Sequence, residues 1–339
     1  MKIKLIILIF LAVFFFLSGC GSRQAPKLKV AMVTDAGGLN DYSFNDSAHR
    51  GMIRIMEELG CDIKVVESKK EEDYGKNLAS LAEEKYDLIF AIGSLLTESV
   101  KKVAPVYPKV HFAIIDGNIS DIHNVTCVLF REEEGAFLAG VLAGLMTRTK
   151  KVGFIGGMKI PVVEKFETGY RAGVITANPE IQILTDYTDS FSDVEKGRQI
   201  ALSQLERGAD IIFHASGGCG EGVIEAVTGK GFPNYVIGVD SDQDSISPNH
   251  VLTSVIKSLD TAVFDTTKDF MDGRFKYGCM FLGIKEGGIS LSPMKYTKDI
   301  IGPDILKKID VMKDLIIKGE ISVPSTLKDL ENFKPPVKF

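Results

Sequence analysis

Residues Val33–Gly51 form the stretch VTDAGGLNDYSFNDSAHRG, which joins a predicted strand to a predicted helix. The apolar run Lys29–Val33 is typical of a buried strand, and we expect the helix to begin near Asp46 or Ser47. In open α/β sheets, ligands bind beyond the carboxyl ends of the strands, where loops of this kind lie. Carboxylates and a carboxamide can hydrogen-bond the edge of a flat polar ligand, and a phenyl ring can stack on its face. The stretch carries these groups in Asp35, Asp41, Phe44 and Asn45.

Short apolar segments alternate with amphipathic ones along most of the chain, in two similar series. This alternation is typical of a parallel sheet flanked by helices, and two series in a chain of 339 residues favour two lobes. A cleft between two lobes is a preferred place for a small ligand. The predicted strands are Lys29–Thr34, Asp62–Glu67, Asp87–Ile92, His111–Asp116 and Asn124–Phe130 in the first series, and Lys151–Ile155, Ile181–Tyr187, Asp210–His214, Tyr235–Val239 and Val251–Ile256 in the second.

The N-terminus resembles a bacterial lipoprotein signal. Lys2 and Lys4 precede an apolar run that ends in Leu17-Ser18-Gly19-Cys20, which is typical of a signal peptide with a lipobox. We predict a signal peptide over residues 1–19, acylation of Cys20, and a tether over residues 20–27. Acylation would anchor the protein to a cell membrane, facing the periplasm or the cell exterior. An ordinary signal peptide or an uncleaved anchor helix is the alternative.

The two series also predict how the chain is divided between the lobes. We expect residues 28–130 and about 257–281 in the first lobe, and residues 131–256 and about 282–320 in the second. The helix over residues 131–147 has the Gly140 and Gly144 spacing of a membrane dimer, but its apolar part is too short to cross a bilayer. It therefore indicates a tightly packed helix of a globular lobe. The tail, residues 321–339, is expected to pack loosely or fray.

Composition and the known motifs exclude several functions. A net charge of -5 argues against nucleic acid as the main partner. The chain has no P-loop, GxSxG or HExxH motif, and nothing supplies a nucleophile beside Asp35 and Asp41, so we predict neither an enzyme nor a cofactor. The other cysteines form no CxxC pair and lack histidines at zinc-ligand spacing, so we predict no metal site. We favour small buried thiols over disulfides for Cys61, Cys127, Cys219 and Cys279, although export permits either.

Further polar residues and glycines follow other predicted strands. Each alone is typical of a turn or a helix cap, and Lys257 also fits a surface charge at a strand end. Their shared position at the carboxyl ends of strands favours a binding site. The residues concerned are Asp116, Gly217, Gly218, Asp240 and Lys257.

The opening stretch resembles the signature of the basic membrane protein family, the PnrA-like nucleoside-binding lipoproteins of ABC importers. The matching residues are Thr34-Asp35, Gly37-Gly38 and Asp41-Tyr42-Ser43-Phe44-Asn45. EEGAFLAGVLAGLMT at residues 133–147 resembles a helix of that family, and Ser190-Phe191-Ser192-Asp193 resembles its Ser-Phe-x-Asp segment. The resemblance extends over about residues 29–290. It implies a two-lobed α/β fold like that of type I periplasmic binding proteins, with the ligand in a cleft between lobes that are each a parallel sheet flanked by helices.

The resemblance also implies which residues would hold the base of a nucleoside. Phe44 and Phe191 resemble the two rings that sandwich the base. Asp35, Asn45 and Asp116 would address its polar edge. The ligand would be a nucleoside, with purine ribonucleosides favoured, and the partner would be the permease of an ABC importer.

The remaining positions would hold the sugar. Asp240 and Lys257 would bind the ribose hydroxyls, and Gly217 or Gly218 would let backbone amides approach closely. We therefore expect ribonucleosides to bind better than deoxyribonucleosides or free bases. The alternatives are the same fold with a sugar or another small metabolite as its ligand, or a surface adhesion or signalling lipoprotein with a degenerate cleft.

Overall fold

The computed structural model describes residues 27–335, so the predicted signal peptide and Cys20 lie outside the described residues. The strands are β1 Lys29–Val33, β2 Asp62–Val66, β3 Leu88–Ile92, β4 His111–Ile115, β5 Val125–Phe130, β6 Lys151–Gly156, β7 Gln182–Tyr187, β8 Ile211–Ala215, β9 Tyr235–Asp240, β10 Val251–Lys257, β11 Gly278–Leu282 and β12 Ile289–Leu291. The α-helices are α1 Phe44–Leu59, α2 Glu71–Glu83, α3 Thr97–Val103, α4 Glu132–Met146, α5 Pro161–Ala177, α6 Val194–Glu206, α7 Cys219–Lys230, α8 Leu259–Met271, α9 Lys298–Ile301, α10 Pro303–Ile317 and α11 Leu327–Leu330.

The strands form two six-stranded sheets, one in each lobe. The first has the order β11-β5-β4-β3-β1-β2 and is parallel throughout. The second has the order β12-β10-β9-β8-β6-β7, in which β12 alone runs antiparallel to its neighbour. The central strands β3, β8 and β9 are fully buried, as expected for sheets covered by helices on both faces. The predicted two-lobed α/β fold is confirmed.

The chain passes between the sheets at three places. It leaves the first sheet after β5, returns after β10, and leaves again after β11. Helix α8, which follows β10, packs closely on α1 of the first lobe, where a Cβ on Gly51 would lie 2.7 Å from the carbonyl oxygen of Asp260. On this basis we propose that the lobes divide near residues 131, 257 and 282.

Helices α4 and α5 cross at very short distance within the second lobe. A Cβ on Gly140 would lie 2.1 Å from the carbonyl oxygen of Tyr170, and one on Gly173 would lie 2.0 Å from that of Phe137. Only a residue without a side chain fits at either position. The glycine spacing of α4 therefore serves packing inside a lobe, as predicted. None of the helices between residues 27 and 335 combines the length and apolar character that a membrane span needs.

One local prediction was wrong. Helix α1 begins at Phe44, earlier than expected, because the Asp41 carboxylate accepts hydrogen bonds from the backbone N–H groups of Ser43, Asn45 and Asp46, at 2.8–3.1 Å. The described part of the tail, residues 321–335, is mostly exposed and contacts the second lobe at a few positions. Ile321 is buried, and the ring of Phe333 lies edge-on to that of Phe137 in α4, with centroids 6.3 Å apart.

Candidate functional site

A cavity lies where the carboxyl ends of the two sheets face each other. Its volume is about 580 Å³, part of which is open to solvent. All the predicted site residues except Gly218 line it, namely Asp35, Phe44, Asn45, Asp116, Phe191, Gly217, Asp240 and Lys257. Gly218 lies just behind, where a Cβ would be 3.2 Å from the carbonyl oxygen of Phe191. The structure thus brings together residues from both lobes that are as far apart as 222 positions, from Asp35 to Lys257.

The two predicted aromatic residues, one from each lobe, both line the cavity. Phe44 stands in the first turn of α1, and Phe191 lies in the loop between β7 and α6. Both side chains are half-buried and line the cavity. The position of Phe191 depends on Gly157, because a Cβ there would lie 2.3 Å from the ring. Half-buried rings that border a cavity offer apolar surface to a ligand.

Asp35 and Asn45 form a hydrogen-bonded pair in the first lobe. The Asn45 amide nitrogen donates to Asp35 Oδ1 at 2.9 Å and to Asp41 Oδ2 at 3.3 Å. This fixes the amide, and its oxygen is left buried without a hydrogen-bond partner among residues 27–335. Burial raises the pKa of Asp35 to about 6, against the lowering effect of its hydrogen bonds from Asn45 and the Gly37 N–H. The pair therefore presents hydrogen-bond acceptors to the cavity.

Lys257 is the centre of a buried ion-pair cluster. Its ammonium lies 2.6 Å from Asp116 Oδ2 and 2.8 Å from Glu132 Oε1, and the three side chains are at most 4% exposed. The ammonium also lies 5.2 Å from the ring centroid of Phe44 and 4.9 Å from that of Phe130. Lys257 ends β10, Asp116 follows β4, and Glu132 opens α4, so the cluster links both lobes at two of the crossings.

Opposing effects set the ionisation of this cluster. Burial alone would lower the pKa of Lys257, but Asp116, Glu132 and Asp240 together raise it, so the ammonium keeps its charge. Burial raises the pKa of Asp116 to about 6, and Lys257 opposes that rise. The second carboxylate oxygen of Asp116 has no hydrogen-bond partner within the described part of the chain. That oxygen is available to a ligand in the cavity.

Asp240 joins the lobes on the other side of the cavity. The Ser43 hydroxyl of the first lobe donates to Asp240 Oδ2 at 2.6 Å, and the Ser241 hydroxyl donates to the Ser43 carbonyl oxygen at 3.0 Å. Gln243 adds a bond from its amide nitrogen to the Tyr42 carbonyl oxygen at 3.2 Å. Burial raises the pKa of Asp240 to about 7, with Lys257 and Ser43 acting against it. These contacts hold the lobes together next to the aromatic rings.

The sequence did not single out several residues of the site. Glu132 and Ser43 bind predicted residues, and Gly93 lies so close to Asp35 that a Cβ would be 3.2 Å from its carboxylate. The residue before α5 and the first two turns of α5, which follow β6, provide an apolar wall. Their position just after a strand could have indicated that they line the site. In the sequence, however, apolar residues at this position cannot be distinguished from residues of the hydrophobic core. The wall consists of Ile160, Val162, Val163 and Phe166.

The charge of the cavity is negative. Its charged lining consists of the carboxylates of Asp35, Asp41, Asp116 and Asp240 and the ammonium of Lys257. No group of histidine, cysteine and carboxylate side chains within residues 27–335 is arranged to hold a metal ion. The arrangement suits a neutral ligand that donates several hydrogen bonds and has a flat apolar part.

Two sheet-and-helix lobes around such a cavity define the class of bilobed binding proteins. A family model described as ABC transporter substrate-binding protein PnrA-like matches residues 28–327. The nucleoside-binding protein BmpA of Lactococcus lactis is 37% identical over 91% of this chain and 92% of its own. Basic membrane protein A of Borreliella burgdorferi is 36% identical over 98% of both chains. A solved ABC transporter solute-binding protein from Aeropyrum pernix superposes with a TM-score of 0.82 at 30% identity, covering 91% of this chain and 96% of that one.

The chain therefore belongs to the PnrA-like family of ABC transporter substrate-binding proteins. This confirms the resemblance noted in the sequence. Membership in this family implies a small-molecule ligand and a permease partner, and it confirms that the protein is a binding protein and not an enzyme.

Proposed function

We propose that the protein captures nucleosides, purine ribonucleosides above all, and delivers them to the permease of an ABC importer. The observation that carries this proposal is the pair of rings, Phe44 and Phe191, which border one cavity from opposite lobes. A flat base can stack both of its π faces on two rings, whereas a sugar offers only C–H groups to them. The relative from Lactococcus lactis is named as a nucleoside-binding protein, which supports the same choice.

Asp35 and Asn45 would recognise the edge of the base. Both present acceptor oxygens to the cavity, and the amide of Asn45 is held in this orientation by Asp35 and Asp41. Acceptors select a base that carries N–H groups on that edge. The polar edge of guanine or hypoxanthine offers such donors to a carboxylate.

Asp116, Lys257 and Asp240 would hold the ribose. The family resemblance implied that Asp116 addresses the edge of the base, but its ion pair with Lys257 leads us to group it with the sugar. A vicinal diol donates to carboxylates and accepts from an ammonium, and each bond with a charged partner contributes about 1.5–3 kcal/mol. A deoxyribonucleoside would leave part of this buried cluster without a partner. Gly217 and Gly218 would keep the chain beside Phe191 free of side chains.

The negative cavity would also reject nucleotides. A phosphate group would bring up to two negative charges next to the carboxylates of Asp116 and Asp240, with Lys257 as the only cation among the lining residues. Like charges in a poorly solvated site repel strongly. We therefore expect nucleosides to bind and their monophosphates to bind poorly.

Thermal shift and titration calorimetry on the chain from Gly21 onward test this function. The panel contains purine and pyrimidine ribonucleosides, their deoxy forms, free bases, monophosphates and several sugars. A ligand at about one hundred times its dissociation constant stabilises the folded state by about 2.7 kcal/mol. We expect this stabilisation with ribonucleosides. A response confined to sugars, or no response from protein freed of copurified ligand, would contradict the proposal.

Substitutions of the rings make the test specific. Phe44→Ala and Phe191→Ala should each weaken nucleoside binding by about 5- to 150-fold, since stacking on one ring contributes about 1–3 kcal/mol. Phe232→Ala is a matched control, because that ring is 59% exposed and does not line the cavity. Equal affinity in all three variants would show that the rings do not stack on the ligand.

We also propose that acylated Cys20 anchors the protein outside the cytoplasm. The lipobox-like Leu17-Ser18-Gly19-Cys20 supports this. Metabolic labelling with a clickable fatty acid should mark the wild-type protein and leave Cys20→Ala unlabelled. Labelling of the variant would refute the anchor.

A further inference from the structure

Two cysteines face each other on neighbouring strands of the first sheet. Cys127 of β5 and Cys279 of β11 are register partners in a parallel pair. Neighbouring strands lie about 4.8 Å apart. That spacing falls within the Cα separation of about 4.4–6.8 Å that disulfides adopt. Register partners of a parallel pair point to the same face of a sheet, so both thiols leave the backbone in the same direction.

The two thiols also contact the same loop. The Cys127 thiol donates to the Ile119 carbonyl oxygen at 3.1 Å, and the Cys279 thiol donates to Asn118 Oδ1 at 3.2 Å. Because Asn118 and Ile119 are adjacent in the chain, these bonds bring the two sulfurs close together. Burial raises the pKa of Cys127 to about 12, and the neighbouring Cys279 thiol adds to that rise.

The two positions differ in their access to solvent. Cys127 is fully buried, whereas Cys279 is half-buried in a strand at the edge of the sheet. A reagent can therefore reach Cys279 first. Cys61 and Cys219 are buried elsewhere, before β2 and at the start of α7.

We propose that Cys127 and Cys279 form a disulfide when the protein meets a small-molecule or protein disulfide. The Cys279 thiolate attacks one sulfur of the donor disulfide, which gives a mixed disulfide and releases the first donor thiolate. The Cys127 thiolate then attacks the Cys279 sulfur, which forms the Cys127–Cys279 bond and releases the second donor thiolate. The two protein protons pass to the two released thiolates, so the donor disulfide is reduced to two thiols and the protein dithiol is oxidised.

The bond would fasten two of the crossings between the lobes. Both strands end where the chain leaves the first lobe, and their last residues, Phe130 and Leu282, are also register partners. The Arg131 N–H donates to the Leu282 carbonyl oxygen at 3.1 Å, which is the hydrogen bond that continues this pairing into the crossing. A disulfide between Cys127 and Cys279, which precede these last residues by three positions, would hold β5 and β11 in register. It would also close a loop that contains almost the whole second lobe, and long loops give the largest entropic stabilisation.

Peptide mapping of the purified full chain tests the proposal. The chain is equilibrated with oxidised glutathione at about pH 8.5, because a mildly alkaline pH increases the thiolate fraction, and it is then alkylated and digested without reduction. We expect a linked peptide pair that contains Cys127 and Cys279, and a thermal midpoint several degrees above that of the reduced protein. Cys61→Ser and Cys219→Ser are matched controls that should form the same link.

Single substitutions test the order of the steps. In Cys127→Ser we expect glutathione to remain attached to Cys279, because no second thiol resolves the mixed disulfide. In Cys279→Ser we expect Cys127 to stay unmodified while the protein is folded. Absence of the linked peptide from the oxidised wild type, or glutathione on Cys127 in the folded Cys279→Ser protein, would overturn the proposal. An unchanged thermal midpoint in the linked protein would overturn the stabilising role of the bond.

Discussion

Replacement of Lys257 by Met tests the buried ion-pair cluster most directly. The change keeps an unbranched side chain of similar length but removes the cation that lies 2.6 Å from Asp116 and 2.8 Å from Glu132. Breaking a buried pair by removing one partner costs about 3–5 kcal/mol, because the remaining charge is left without compensation. We therefore expect Lys257→Met to lower the free energy of unfolding by about 3–5 kcal/mol and to abolish ligand binding.

The loss should depend on pH. Burial raises the folded-state pKa of Asp116 to about 6 from 3.8 even with Lys257 present, so removal of the cation raises it further. The folded variant then holds this proton more tightly than the unfolded chain does. Its stability falls as pH rises from about 4 upward, over a wider range than in the wild type. The difference between the two proteins should be larger at about pH 8 than at about pH 5.

Urea unfolding followed by circular dichroism at these two pH values measures both effects. Lys150→Met is the matched control, because its pair with Glu180, at 2.8 Å, has side chains that are 60% and 71% exposed. Such exposed pairs contribute about 0–1 kcal/mol. If Lys257→Met lost no more stability than Lys150→Met, or lost the same amount at both pH values, the reasoning about the buried cluster would be refuted.

Three further predictions concern packing, the contacts between lobes and pH. Gly173→Ala should destabilise the protein by about 1–3 kcal/mol, because its Cβ would lie 2.0 Å from the Phe137 carbonyl oxygen. Gly229→Ala is the control: its Cβ would have no atom within 4 Å, so thermal melts should show a neutral or stabilising effect. Ser43→Ala removes the 2.6 Å hydrogen bond to Asp240, and we expect it to weaken ligand binding by about 5- to 30-fold. We also expect small-angle scattering of the ligand-free variant to show a larger radius of gyration. If both the radius and the affinity were unchanged, this hydrogen bond would not hold the lobes together. Ligand affinity by calorimetry should rise about tenfold from pH 5 to pH 8, because Asp240 accepts best when ionised and burial raises its pKa to about 7. The stability of the ligand-free protein should change with pH in the opposite direction. Its folded state binds the Asp240 proton more tightly than the unfolded chain does, so stability falls as pH rises from 3.8 to about 7. An affinity or a stability that does not change with pH would contradict the corresponding statement.

The strand ends were predictable because a parallel sheet places them all at one edge. Asp35, Asp116 and Asp240 each follow a short apolar run, and this shared position favoured a binding site, while the family resemblance implied their roles. The start of α1 was not predictable in the same way. Asp46 resembles a cap in the sequence, but its carboxylate accepts from the N–H groups of Asn40 and Tyr42, while Asp41 caps the helix.

Contacts between distant segments could not be derived from local pattern. In the sequence, Lys257 also fits a surface charge at the end of a strand. The tertiary structure is needed to show that Glu132 lies 2.8 Å from it. Strand β11 was missed for a related reason. Its residues are all at least partly exposed at a sheet edge, and its place in the sheet depends on pairing with β5, which is distant in the chain. The pairing of Cys127 with Cys279 depends on that strand.

The two edge strands also determine when each lobe can be completed during synthesis. β11 is one of the two edge strands of the first sheet and β12 is one of the two edge strands of the second, and both lie within residues 278–291. A growing chain gains its N-terminal residues first, so neither sheet has all of its strands until this short segment has emerged. Both sheets are therefore completed late, and a chain cut before Gly278 would leave β5 in the first sheet and β10 in the second as unpaired strands that are templates for aggregation.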